Sequence, residues 1–143
     1  MKLTWREMEL TLEIRNYRAP SKGDDWDIWC RADLRIVVGD YMDYSMIDDE
    51  FLMSQEVLSL SHTLEKLLNG GITKRTQIGF TEPDLTFELY PKMTLGREEL
   101  DVWAELQISL RLKDTNYNGA VLNIPLDRGD LEKLLDYLKN TVG

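Results

Sequence analysis

Few side chains in this chain are suited to chemistry. His62 is the only histidine and Cys30 the only cysteine. A general base needs a titratable group near neutral pH; histidine is the residue type that ordinarily supplies one, and His62 is the one candidate. It lies beside Ser61 in a stretch with helical spacing, so it is expected on a helix surface or boundary. No serine sits in a nucleophile-elbow pattern. Cys30 falls on the apolar side of an alternating run, where a thiol is buried and inert. One Cys and one His exclude a zinc site. The densest carboxylate clusters are Asp24-Asp25-Trp26-Asp27 and Asp48-Asp49-Glu50. Neither has the alternating ligands and central glycine of a calcium loop. Gly70-Gly71 follows an apolar helical stretch and does not open one, so it is a helix stop and not a phosphate cradle. The expectation is a protein with no catalytic residue, no metal and no cofactor.

Charge narrows the classes further. The chain has 143 residues, with 26 acidic and 17 basic side chains and a formal net charge of -9. Nucleic-acid affinity draws on Lys and Arg against phosphate, so nucleic acid is not an expected partner. The same charge steers a basic protein toward this one. Aromatic residues add a second cue. Trp29 and Trp103 stand opposite the apolar sides of their strands, Trp26 stands among acidic residues, and Tyr41 and Tyr44 precede Asp48. Aromatics flanked by charge are common interface anchors. The candidate partner-binding residues are therefore Asp24, Asp25, Trp26, Trp29, Tyr41, Asp48, Asp49 and Glu50, with the carboxylates steering and the aromatics docking. A pocket between sheet and helices, holding a small molecule, is the competing expectation, with a scaffold role beside it.

The elements that must position these residues are legible from periodicity. Leu10, Leu12 and Ile14 alternate with Glu9, Thr11, Glu13 and Arg15, which predicts a half-buried strand. Ile28, Cys30, Ala32, Leu34, Ile36 and Val38 form a longer alternating run. Gly39-Asp40 signals a turn, with Tyr41 to Ile47 as the returning strand. Val57, Leu60, Ser61, Leu64, Leu67 and Leu68 then fall three or four apart, predicting a helix over about 54–69. Ser54 is its expected N-cap and Gly70 its left-handed stop. Strands resume at Thr76–Phe80 and Leu85–Tyr90. Val102 to Leu112 alternates most cleanly, Lys113–Gly119 reads as a loop, and Ala120–Leu126 as the next strand. Asp127, with Asp130 three positions on, predicts a capping box opening a last helix over about 128–141.

Short turns between alternating runs mean antiparallel pairing. The expected fold is α+β, with a curved antiparallel sheet of about six or seven strands and both helices packed on it. No repeat or linker divides the chain, so residues 1–143 are expected to form one domain. A length near the modal domain size supports a core without disulfide or metal. The absence of a signal-peptide pattern, of an apolar run near membrane length and of paired cysteines suggests a cytoplasmic protein away from membranes.

The whole pattern resembles the WapI-like immunity proteins of bacterial polymorphic toxin systems. Four pieces carry the resemblance, from about residue 8 to 142. Ile14-Arg15-Asn16-Tyr17 ends the first strand and leads to Asp24-Asp25-Trp26-Asp27-Ile28. Val38-Gly39-Asp40-Tyr41 closes the long strand. The helix Leu58 to Leu68 stops at Asn69-Gly70-Gly71 and is followed by Phe80-Thr81-Glu82-Pro83-Asp84-Leu85. Ile124-Pro125-Leu126-Asp127 opens the last helix. These are turns, caps and strand ends, and none is catalytic. The resemblance implies a protein that binds and neutralises a cognate toxin domain, often a nuclease, in the producing cell. Acidity suits a basic toxin domain as that partner.

Overall fold

The computed structural model describes residues 1–20, 28–111 and 118–143. Four strands come first: β1 (Lys2–Thr4), β2 (Met8–Arg15), β3 (Arg31–Val38) and β4 (Met42–Asp49). They pair antiparallel in chain order. Helix α1 (Ser54–Leu68) follows. Then come β5 (Thr76–Gly79), β6 (Leu85–Tyr90), β7 (Met93–Leu95), β8 (Glu98–Leu100), β9 (Trp103–Arg111) and β10 (Asn118–Leu126), and helix α2 (Arg128–Val142).

The α+β class and the antiparallel pairing agree with the sequence reading, but the sheet is not continuous. Strands β1-β2-β3-β4 form one four-stranded sheet, β10-β9-β6-β5 a second, and β7-β8 a separate two-stranded ribbon. The reason lies in the connections. Helix α1 carries the chain away from β4, and each later strand finds its partner within its own half. Three elements escaped periodicity. β1 is too short to show alternation, and β7 and β8 are exposed throughout and so bury no apolar face.

The two sheets share one hydrophobic cluster with both helices. Leu10, Leu34 and Ile36 of the first sheet are buried, as are Phe87, Leu106 and Ile108 of the second. A small apolar void of about 20 Å³ is lined by Leu10 and Leu34, by Phe87 and Leu106, and by Leu134 of α2, which places the sheets' inner faces against one another. Helix α1 buries Val57, Leu60, Leu64 and Leu67, and α2 buries Leu131, Leu134, Leu135 and Leu138. The helices pack together, and Lys139 reaches Glu65 at 2.8 Å. The Tyr137 hydroxyl accepts from the Ile14 amide at 2.6 Å, tying α2 to β2.

The helix ends agree with the sequence in all but one cap. Asp127 accepts from the Asp130 amide while the Asp130 carboxylate accepts from the Asp127 amide, the expected capping box. Gly70 adopts φ +78° after α1, as a left-handed stop requires. The expected N-cap Ser54 is instead the first helical residue and is fully buried. Met53 takes the cap position, and its amide donates to the Glu56 carboxylate at 3.0 Å. The Ser54 hydroxyl accepts from the Arg18 amide and meets the Cys30 thiol at 3.5 Å. No helix among the described residues is long and apolar enough to cross a membrane.

Candidate protein-docking surface

Four of the sequence-predicted residues, Trp29, Asp48, Asp49 and Glu50, come together at one end of the first sheet. β3 and β4 pair antiparallel, with Ala32 opposite Asp49. Trp29 stands just ahead of β3, half-buried and bridged to Met53. It lines an open cleft of about 420 Å³ with Asn16, Tyr17, Arg18 and Ile28. Tyr41 follows the Gly39 turn and is 89% exposed. It stands at the opposite end of β4, roughly 23 Å from Asp48 at about 3.3 Å per strand residue. Asp24, Asp25 and Trp26 lie outside the described residues, as do Leu112 and most of the predicted loop from Lys113.

A bulge shapes this end. The register of β3 and β4 shifts between Ala32 and Leu34, and Asp48 sits at φ +52°. The left-handed region is open to Asp at modest cost because its side chain bonds locally. The extra residue turns the strand and redirects the carboxylate. Asp48 then faces two guanidinium groups. Arg15 grips Asp33 with both terminal nitrogens, at 2.9 and 2.7 Å, and touches Asp48 at 3.2 Å. Arg31 reaches Asp48 at 3.1 Å and Glu50 at 2.9 Å. The Asp48 amide donates to Asp33 at 2.7 Å.

Arg111 extends the network to the second sheet. It holds Asp84 through two nitrogens, one at 2.6 Å, and meets Asp49 at 3.4 Å. Asp84 is 3% exposed, so its charge depends on that fork. The Arg111 amide also donates to the Tyr44 hydroxyl at 3.1 Å. One side chain thus joins the end of β9, the approach to β6 and the end of β4.

The electrostatics follow from these pairs. The Arg15 fork and the Asp48 amide hold the Asp33 carboxyl down at about 2. Arg31, then Arg15, lowers Asp48. Arg15, Arg31 and Arg111 are raised, chiefly by Asp33, Asp48 and Asp84 respectively. Three arginines therefore stand among five carboxylates. Charges paired this closely project less field than isolated ones, because their opposite signs cancel with distance.

Chemistry elsewhere is sparse. Cys30 is fully buried, and burial pushes its thiol up, away from the reactive thiolate. His62 is exposed on α1, as expected from the sequence. No group of three His, Cys, Asp or Glu among the described residues is placed to hold a metal ion.

Sequence reasoning missed the arginine half of this cluster. The signal was present: Arg15, Arg31 and Arg111 all alternate outward. What it lacked was the register, in which Arg15 lies opposite Arg31 and Glu13 opposite Asp33, so that pairs form diagonally. Tyr90 was missed for a similar reason. Its outward position was legible, but its partner Trp103 lies beyond an intervening ribbon.

Comparison with known proteins gives one result. No curated protein and no solved structure matches the chain. The model of the immunity protein WapI-like family matches residues 4–142. That span takes in every strand but the first residues of β1, and both helices, so the chain belongs to the WapI-like immunity protein family.

Proposed function

We propose that this protein is a non-catalytic immunity protein that neutralises a cognate bacterial toxin by docking on it. The observation that carries this reading is the family match over residues 4–142. The described side chains are consistent with it. The thiol is buried, the histidine is exposed on a helix, and the polar cluster is built of arginine–carboxylate forks with no nucleophile beside them. Its setting is the cytoplasm of the producing cell, where the toxin would otherwise act.

A basic toxin domain is the partner that a chain of net charge -9 would attract. A nuclease is the leading class, since a phosphate-binding surface must be basic. Trp29, Asp48, Asp49 and Glu50 form one contact candidate, with Tyr41, Asp24, Asp25 and Trp26 as further candidates. The test is co-expression with the toxin domain encoded beside its gene. Restored growth and a stable complex at low salt are expected. A purified pair that neither associates nor blocks toxicity overturns the reading. Loss of toxicity with turnover of a substrate by this chain alone overturns its non-catalytic part.

A further inference from the structure

A second surface carries more unsatisfied chemistry. Pairing of β6 with β9 sets Tyr90 opposite Trp103, Glu88 opposite Glu105 and Thr86 opposite Gln107. Their strand neighbours Phe87, Leu89, Ala104 and Leu106 are buried, so these six face outward. The Tyr90 and Trp103 rings are stacked, 4.0 Å between centroids and 3° from parallel. The Arg75 guanidinium lies 5.1 Å from the Tyr90 ring centroid and is paired with Glu88. Glu105 has no ion pair among the described residues. Its contact is the Gln107 amide at 3.4 Å.

Carboxylates directly opposite one another on adjacent strands repel. Arg75 pairs with Glu88 and acts only weakly on Glu105, which keeps no ion pair of its own among the described residues. It also displays, within the chain, the ligand this surface accepts: a planar cation lying on an aromatic ring and paired with a glutamate. Beyond Tyr90 and Trp103, the same two strands lead into the β7–β8 ribbon. Met93, Leu95 and Leu100 are exposed there, half of the large exposed hydrophobics among the described residues. Met93 stands opposite Leu100, and Leu95 is two positions along, so they share one face. A two-stranded ribbon is marginal in water without a covering surface. The register runs on from Tyr90–Trp103 to Met93–Leu100, so alternation sets the ribbon's apolar face on the side of Leu89 and Val102, away from the aromatic and acidic groups.

We propose that Tyr90, Trp103, Glu88 and Glu105 form a docking surface for an arginine-bearing segment of a basic protein. Its partner is the toxin domain of the immunity reading, on which that identification rests. An arginine of the partner lies against the aromatic stack and pairs with Glu105.

The test uses the full chain with a short arginine–glycine repeat peptide and its lysine–glycine counterpart. Calorimetry should show tighter binding of the arginine peptide. The Glu88→Gln, Glu105→Gln double variant should weaken it by about tenfold, and Trp103→Phe by less. Asp43→Asn with Glu65→Gln should leave it within about twofold, because those carboxylates lie elsewhere and are already paired with Arg35 and Lys139. Equal affinity for both peptides, or equal loss in both double variants, overturns the proposal. So does a self-association in sedimentation that the Glu88, Glu105 variant abolishes, since a second copy would then be the occupant. Thermal melts confirm that each variant folds. The same variants are titrated with the neighbouring toxin domain. Wild-type-like binding by the Glu88, Glu105 variant sinks this surface and leaves the immunity function standing. A toxin domain that binds no form of the chain sinks the function, and the peptide titration still decides the surface.

Discussion

The two sheets are alike inside and unlike outside. Both inner faces are aliphatic and buried in one cluster. Outside, the first sheet is self-paired: Lys2 meets Glu9, Arg15 meets Asp33 and Asp48, Arg31 meets Asp48 and Glu50, and Arg35 meets Asp43. The second sheet sets glutamate against glutamate beside stacked aromatics. The first arrangement satisfies its charges within the chain. The second pairs Glu88 with Arg75 and leaves Glu105 without an ion pair among the described residues. Acidic clusters that stand out in the sequence are therefore poor guides to a contact until their partners are known.

The largest effect should come where the sheets agree. Ile36 and Ile108 are both fully buried, one in each sheet. Replacing either by Ala removes packed methylenes and leaves a cavity, at about 2–5 kcal/mol each. Urea denaturation should report similar losses for both. A loss in only one would mean that the two inner faces do not share a core.

Next comes the tie between the sheets. Arg111→Ala leaves the buried Asp84 carboxylate without its fork. Removing one partner of a buried pair destabilises strongly, but the Arg111 side chain is 43% exposed, so the loss should be about 2 kcal/mol. Asp84→Asn in the Arg111→Ala background should recover part of it in the same denaturation assay. No loss in the single variant would reduce Arg111 to a surface charge, and the sheets would be held by apolar contact alone.

Much of this fold was legible because apolar alternation and helical spacing follow from burial. β2, β3, β6, β9 and both helices were all predicted close to their observed bounds. The Asp127–Asp130 box and the Gly70 stop were readable because caps depend on local side chains. The division into two sheets was not, since alternation says which face is buried but not which strand is the neighbour. The site suffered the same limit. Asp48 and Glu50 were visible as charges, while Arg15 and Arg31, distant in sequence, decide whether those charges are free. Met53 in place of Ser54 as the cap has another cause: the buried contact between Ser54 and Cys30 draws the serine into the helix.

Acid should then weaken the first sheet at Asp33, as it weakens the Arg128 fork on Asp101, whose carboxyl is also held down at about 2. Asp33 titrates near 2 in the fold against an ordinary value of 3.8. A depressed carboxylate contributes stability that is complete above the unfolded value and is lost as pH falls toward the folded one. Melting temperature should therefore drop between about pH 4 and pH 2, and Asp33→Asn should flatten that drop while lowering the plateau at neutral pH. Calorimetric scans across this window decide it. An unchanged slope in the variant would show that the Arg15 fork does not couple to folding.

The smallest effect is the sharpest contrast, because its sign should reverse between the sheets. Neutralising a carboxylate on the first sheet removes an attraction. Neutralising Glu105 on the second removes a repulsion, since Glu88 stands directly opposite. Glu105→Gln should raise stability by about 0.3 kcal/mol, within the range of cross-strand pairs. The glutamine keeps the shape and can still accept from Gln107. Parallel urea titrations of Asp33→Asn and Glu105→Gln at neutral pH, repeated at high salt, make the comparison. Salt should shrink both effects toward zero, since both sites face solvent. A destabilised Glu105→Gln would mean that Glu105 serves the fold, as Asp33 does. A stabilised one would mean that the chain keeps a repulsive charge whose use lies outside its own structure.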